Sequence, residues 1–91
     1  FRADWCAPCR AFEAEVLTDG EVQAELETLA FYSADLTDNN SSETQMLIKE
    51  FKITGVPTLV FFGNNGVEIN RFTGYMEKKL FLEAVRSLNR K

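Results

Sequence analysis

Asp4-Trp5-Cys6-Ala7-Pro8-Cys9 places two cysteines three positions apart near the start of a chain of 91 residues. Pro8 suits the first turn of a helix, because the N–H that proline lacks would have no partner there. A helix that begins at this point brings the two thiols within one turn of each other, where a disulfide can form and break. The spacing therefore predicts a redox-active cysteine pair.

The two cysteines of this pair are expected to do different work. Cys6 lies at the start of the predicted helix, where unpaired backbone N–H groups and the helix dipole favour a thiolate. We expect it to attack partner disulfides and to ionise more readily than a free cysteine, whose pKa is about 8.5. Cys9 is then the resolving thiol that releases the reduced partner. Pro8 biases the redox potential of the pair, in a direction that the residues leave open.

Two other interpretations of the cysteine pair stay open. A zinc site normally takes four Cys or His ligands, whereas this chain holds two cysteines and no histidine. A purely structural bridge across so short a loop would remove little conformational entropy from the unfolded chain. We therefore expect working thiols that need neither a metal nor another cofactor.

The composition indicates one small domain with no affinity for polyanions. A hydrophobic content of 45%, with eight phenylalanines, suffices for one core, so we expect residues 1–91 to form a single, monomeric domain. The net charge of −4 argues against nucleic acid or an anionic membrane as a partner. No apolar run approaches the roughly 20 residues of a membrane-spanning helix. Because Phe1 lies just before the motif, we expect the chain to be a piece of a longer protein.

Hydrophobic periodicity divides the chain into alternating strands and helices. We predict strands at 1–3, 31–36, 58–62 and 67–72, and helices around the apolar sets within 7–16, 22–29, 46–51 and 80–88. The alternation, followed by a hairpin, predicts an α/β fold in which helices cover both sides of a mixed central sheet. A Cys-x-x-Cys at a helix start beside such a unit is typical of thioredoxin-like redox proteins.

Several local features sharpen this outline. Thr18 with Glu21, and Ser42 with Gln45, have the capping-box spacing that marks the start of a helix. The continuous apolar run at 58–62 is typical of a strand buried on both faces. In the last helix, one face is predicted to be apolar; its residues are Leu80, Phe81, Ala84, Val85 and Leu88.

Three further positions near the motif each allow two interpretations. Trp5 could be a lid beside the sulfurs or a core aromatic. Val56-Pro57 could start a strand with a trans bond, or carry a cis bond that places the Val56 backbone beside the sulfurs to pair with substrate. Glu13, one helical turn after Cys9, could exchange a proton during the reaction or simply be solvated.

The whole pattern resembles the thioredoxin family. Its marks are Trp-Cys-Ala-Pro-Cys at 5–9, Gly-Val-Pro-Thr at 55–58, Gly-Asn-Asn-Gly at 63–66 and Gly74 before the last helix. The resemblance spans essentially the whole chain and implies a thioredoxin-like three-layer fold. It also implies that Cys6 and Cys9 are nucleophile and resolving thiol, that Pro57 is cis, and that Gly74 lies in the substrate groove with Trp5 and Val56.

Within the family, the chain resembles most the C-terminal domain of DsbD-type thiol:disulfide interchange proteins. The shared stretches are Ala-Asp-Trp-Cys at 3–6, Arg-Ala-Phe-Glu at 10–13, the segment 19–22 and Asp-Leu-Thr-Asp-Asn at 35–39. This resemblance implies that Glu13 is a carboxylate of the active site. It further implies a periplasmic domain that takes electrons from a membrane-embedded domain and passes them to an N-terminal domain of the same protein.

Two departures accompany this likeness. The central Ala7-Pro8 dipeptide is closer to ordinary thioredoxin than to the DsbD domain. The chain also begins after the family's first strand, first helix and most of the next strand, a region that includes an acidic residue beneath the cysteines. We therefore expect a protein-disulfide reductase acting on protein disulfides or dithiols, with a free-standing cytoplasmic thioredoxin as the first alternative and a metal-binding Cys-x-x-Cys protein as the second.

Overall fold

The computed structural model describes residues 1–89, and in this range it contains four helices and two strands. The helices follow the predicted periodicity closely, and the hairpin is formed by the last two predicted strands. In chain order the elements are α1 (Ala7–Glu15), α2 (Gly20–Leu26), α3 (Ser42–Phe51), β1 (Thr58–Phe62), β2 (Glu68–Thr73) and α4 (Lys78–Asn89).

The helices begin at side chains that accept hydrogen bonds from their first turns. The N-cap of α2 is Asp19, which accepts from the backbone N–H groups of Glu21 and Val22, so the predicted Thr18 cap is wrong by one residue. Likewise α3 is capped by Ser41 rather than Ser42. In both cases the residue with extended backbone just before the helix places its side-chain oxygen over the free N–H groups.

The hairpin of β1 and β2 is antiparallel, with pairs running from Thr58 opposite Thr73 to Phe62 opposite Glu68. A β-bulge between Phe61 and Phe62 shifts the register beside the turn. Gly66 occupies the turn with a positive φ of 79°, which glycine adopts at little cost. The prediction that an antiparallel strand follows the turn at residues 63–66 is confirmed.

The strands predicted at 1–3 and 31–36 are reduced to single backbone pairings. Arg2 makes one parallel bridge to Asp35, in which the Arg2 N–H donates to Ala34 and the Leu36 N–H donates to Arg2. On its other side, Phe1 exchanges two backbone hydrogen bonds with Thr58, at 2.8 and 3.1 Å. Residues 1–2 therefore lie between the 34–36 segment and β1, and the turn at residues 4–5 prevents a longer ladder.

The main core lies between the helices and one face of the hairpin. Its buried side chains come from α1, α2, α4 and the segments beside them; they are Phe12, Val16, Val22, Met76, Phe81, Leu82 and Val85. Two predictions need correction here. Leu80 is exposed, because Phe81 and Leu82 take the inward positions of α4. Only Thr58 of β1 is fully buried, because helices cover the two faces of this strand incompletely.

Candidate functional site

The two cysteines lie at the N-terminus of α1 and form a disulfide, with their Cα atoms 5.2 Å apart. Cys6 is the N-cap residue, and its sulfur accepts a hydrogen bond from the Cys9 N–H at 3.2 Å. Cys6 is 6% exposed and Cys9 is fully buried, so a partner reaches the Cys6 sulfur first. A donor aimed at this sulfur, together with the helix dipole, also stabilises a thiolate there.

A second segment of the chain closes the site from the opposite side. The carbonyl oxygen of Val56 lies 3.4 Å from the Cys6 sulfur, and the Val56–Pro57 peptide bond is cis. The Pro57 carbonyl accepts a hydrogen bond from the Gly74 N–H at 2.8 Å, which joins this segment to the end of β2. The structure thus brings Val56, Pro57 and Gly74 together beside the cysteines.

Trp5 is not a core aromatic, because 57% of its surface is exposed. Its indole N–H donates to the Thr37 carbonyl at 3.1 Å, and the Asp4 backbone N–H donates to the Thr37 hydroxyl oxygen at 2.9 Å. The same hydroxyl donates to the carboxylate of Asp35. Thr37 therefore fixes the chain immediately before Cys6 and leaves one face of the indole ring at the protein surface.

Glu13 lies one helical turn after Cys9, as predicted, but its carboxylate pairs with a cation. The Arg2 guanidinium donates to it through Nε at 2.7 Å and through Nη2 at 3.3 Å. Arg2 also forms ion pairs with Asp4 at 2.6 Å and with Asp35 at 3.3 Å. Hydrogen bonds that Arg2 donates to Glu13 and Asp4 raise the pKa of Arg2, and those that Thr37 donates lower the pKa of Asp35.

Sequence reasoning assigned no role to Arg2, Thr37 or Tyr75, which the structure places around the site. Tyr75 follows Gly74, stacks edge-on against Phe12 of α1, and donates its hydroxyl to Glu15 at 3.2 Å. Burial of the phenol is the main cause that raises the pKa of Tyr75. The one available signal was Arg2 itself, a charged residue in a segment expected to be a buried strand.

The described residues offer neither a metal-binding cluster nor a transmembrane helix. Within residues 1–89, no group of three or more His, Cys, Asp or Glu side chains is arranged to hold a metal ion. No helix in the same range combines the length and the apolar character needed to cross a bilayer.

Comparison with known proteins confirms the fold and the resemblance. The chain is 43% identical over 82 residues to the thiol:disulfide interchange protein DsbD of Haemophilus ducreyi, and 39% identical over 88 residues to that of Actinobacillus pleuropneumoniae. The two matches include 88% and 94% of this chain. They include only 14% and 15% of the length of the two relatives.

Solved structures give the same result for the backbone. The oxidised C-terminal domain of DsbD from Neisseria meningitidis superposes with a TM-score of 0.84 at 28% identity, covering 97% of this chain and 75% of that domain. A thioredoxin from Thermus thermophilus superposes with a TM-score of 0.77, also at 28% identity, covering 98% of this chain and 69% of that protein.

A family model for the thioredoxin-like domain matches residues 1–89, almost the full chain. The predicted α/β architecture, the cysteine pair at the start of α1 and the pairing of Phe1 with Thr58 of β1 all agree with this match. The chain therefore belongs to the thioredoxin-like domain family.

Proposed function

We propose that the chain is a thiol:disulfide oxidoreductase that acts as a protein-disulfide reductase. One observation carries the proposal: Cys6 and Cys9 form a disulfide at a helix N-terminus. The Cys6 sulfur, which is the more accessible of the two, accepts a hydrogen bond from the Cys9 N–H. The names of the similar DsbD proteins, which describe thiol:disulfide interchange, support it.

In the proposed reaction, two electrons pass from the cysteine pair to a partner disulfide. The Cys6 thiolate attacks one partner sulfur, which forms a mixed disulfide and releases the other partner sulfur as a thiolate that takes up a proton. The Cys9 thiol loses its proton and attacks the Cys6 sulfur. This step frees the second partner thiol and leaves the Cys6–Cys9 disulfide, so the partner is reduced and the chain is oxidised.

We also propose that Trp5, Val56, Pro57 and Gly74 form the surface that a partner meets. The position of the Val56 carbonyl beside the Cys6 sulfur supports this, because an extended partner segment next to the attacked disulfide could pair with exposed backbone. The exposed ring of Trp5 supplies apolar contact area on the other side of the sulfurs.

For the cellular setting, we propose that the chain is the periplasmic C-terminal domain of a DsbD-type protein. In this setting a membrane-embedded domain supplies electrons, and an N-terminal domain of the same protein receives them. The DsbD relatives support the proposal, since the chain spans about one seventh of their length. The DNA upstream of the Phe1 codon tests it: codons for membrane-spanning helices are expected, whereas a start codon just before the family's first strand and first helix would favour a free-standing thioredoxin.

The exchange reaction is tested by reducing insulin with dithiothreitol as the electron donor. We expect Cys6→Ser to abolish the catalysed rate. We expect Cys9→Ser, reduced and then mixed with insulin after dithiothreitol has been removed, to trap a mixed disulfide that appears on a non-reducing gel. Circular dichroism of each variant shows that the fold is kept. Full insulin reduction by folded Cys6→Ser would exclude the proposed nucleophile, and one tightly bound zinc per chain would instead favour the metal-binding alternative.

A further inference from the structure

The Arg2 guanidinium is shared by three carboxylates that come from three parts of the chain. Its distances are 2.7 Å to Glu13 of α1, 2.6 Å to Asp4 before the cysteines and 3.3 Å to Asp35 beside the parallel bridge. The Arg2 side chain is only 20% exposed, less than any of its three partners. Ion pairs with one partly buried member respond more strongly to the loss of that member than ordinary surface pairs do.

This cluster lies directly behind the active-site thiols. Arg2 precedes Ala3, which is buried in the same small apolar cluster as Cys6 and Cys9. Glu13 follows Cys9 by one turn on α1, a spacing that puts the two side chains on the same helix face, about 5 to 6 Å apart at their Cβ atoms. The charge of the Glu13 carboxylate therefore acts on the thiols at short range.

Arg2 is the cation that pairs with the Glu13 carboxylate. Within residues 1–89, no other cation lies within the 4.0 Å ion-pair distance of Glu13. The terminal amine of Phe1 lies near enough to be influenced by Glu13, but burial lowers its pKa. Asp4 and Asp35, the other two partners of Arg2, add negative charge here, Arg10 follows Cys9 on α1, and the Tyr75 hydroxyl pairs with Glu15 of the same helix. The Val56 segment contributes only a backbone carbonyl.

We infer that Arg2 is a positioning residue for thiol-disulfide exchange: it holds the Glu13 carboxylate in a fixed ion pair, so that the negative charge of Glu13 opposes ionisation of the thiols less than an unpaired carboxylate would. The role of Arg2 rests on the proposed function, because it concerns how readily the thiols of the proposed site ionise. Without Arg2, three carboxylates remain together, and Glu13, on the same helix face as Cys9, disfavours a thiolate by repulsion between like charges.

The test measures how fast iodoacetamide alkylates Cys6 in the reduced protein across pH 5 to 10, for the native chain and four variants. We expect Arg2→Met to raise the midpoint of this profile by roughly 0.5 to 1 pH unit, because it removes the positive charge that pairs with Glu13. Glu13→Gln added to Arg2→Met should return the midpoint to within about 0.3 of the native value, because the repelling charge is then gone.

Two further variants separate charge from folding. Arg2→Lys keeps the charge and loses the bidentate geometry, so we expect a lower melting temperature but an alkylation midpoint near the native one. Arg71→Met is the matched control, because Arg71 makes an equally bidentate pair with Glu68, at 2.8 and 2.9 Å, on β2. Its midpoint should not move.

The outcomes distinguish this inference from the proposed function. If the native thiol titrates like a free cysteine, the proposed nucleophile is wrong, whatever Arg2 does. If the native midpoint is low but Arg2→Met leaves it unchanged, only the inference on Arg2 is overturned. An Arg2→Lys midpoint raised above the native one by roughly 0.5 pH unit or more would also overturn it, and this comparison with the native chain still decides the matter if Arg2→Met does not fold.

Discussion

The sulfur of Cys6 lies 3.4 Å from the carbonyl oxygen of Val56, a residue fifty positions further along the chain. This approach depends on the backbone pairing between Phe1 and Thr58, which sets the start of β1 beside the segment that leads into α1. The active site is therefore built where two parts of the chain meet. Substitutions in either part should therefore change the rate of reaction with a partner protein, even where the reactivity of the thiols themselves is unchanged.

Replacing Gly74 with alanine should disturb the partner surface. Gly74 has a φ of 103°, which L-residues rarely adopt, and its N–H donates to the Pro57 carbonyl at 2.8 Å. No atom blocks an added Cβ, so the whole effect comes from the backbone. We expect Gly74→Ala to lower the free energy of unfolding by about 1 to 2 kcal/mol. Insulin reduction should slow while iodoacetamide still alkylates Cys6 at the native rate.

Gly20→Ala is the matched control for that experiment. Gly20 begins α2, has ordinary helical backbone, and leaves open space around an added Cβ. The same substitution should therefore raise the free energy of unfolding by about 0.5 kcal/mol, because it reduces the freedom of the unfolded chain. Equal effects of the two substitutions in urea denaturation would show that the conformation of Gly74 is not strained by a side chain.

The two serines at the start of α3 should differ sharply in their contribution to stability. Ser41 accepts the Thr44 N–H at 3.1 Å and donates to the Thr44 hydroxyl oxygen at 2.8 Å. We expect Ser41→Ala to cost about 1 kcal/mol and Ser42→Ala to change the free energy of unfolding by less than about 0.5 kcal/mol. Urea denaturation measures both losses. A larger loss for Ser42→Ala than for Ser41→Ala would show that Ser42 is the N-cap, as the sequence pattern predicted.

Neighbouring residues of α4 offer a test of where the core lies. Phe81 is 1% exposed and packs edge-on against Phe12, with ring centroids 5.4 Å apart, whereas Leu80 is 54% exposed. Phe81→Ala should cost about 3 to 5 kcal/mol, a large part of the stability of a small domain, because it leaves a cavity. Leu80→Ala should change the free energy of unfolding by less than about 0.5 kcal/mol. Similar melting temperatures for the two variants would contradict this packing.

Stability should fall in acid through the ion pairs between α2 and α4. A hydrogen bond from Lys78 lowers the pKa of Asp19, and one from Arg86 lowers the pKa of Glu21. Because both pKa values are lower in the folded state, these carboxylates stabilise the fold above their unfolded pKa values of about 4, and the contribution disappears as pH falls through the folded values.

Urea denaturation at pH 7, 5 and 3 measures this dependence. We expect little change between pH 7 and 5 and a lower midpoint at pH 3. Asp19→Asn combined with Glu21→Gln should weaken the fold at pH 7 and reduce the further loss at pH 3. An identical loss in the native chain and in this double variant would assign the acid sensitivity to other carboxylates.

Much of the fold could be predicted because its signals are local. The Cys-x-x-Cys spacing, Pro8 and the apolar repeat that follows place α1 correctly, and the Gly-Asn-Asn-Gly turn places the hairpin. Errors arose where a choice between neighbours depends on exact backbone geometry, as with Ser41 and Ser42. They also arose at 31–36, where strand-like residues find a single backbone pairing instead of a ladder.

The sequence by itself determined the reactive pair and the order of the elements, because both follow from spacing within a few residues. Only the tertiary structure showed that Arg2 and Thr37 lie behind that pair, and it placed Val56 and Gly74 where the family resemblance implied. Val56, Gly74 and Arg2 reach the site, or the charges behind it, through pairings between distant segments. No local pattern encodes such pairings, because their free energy comes from contacts that exist only once the chain has folded.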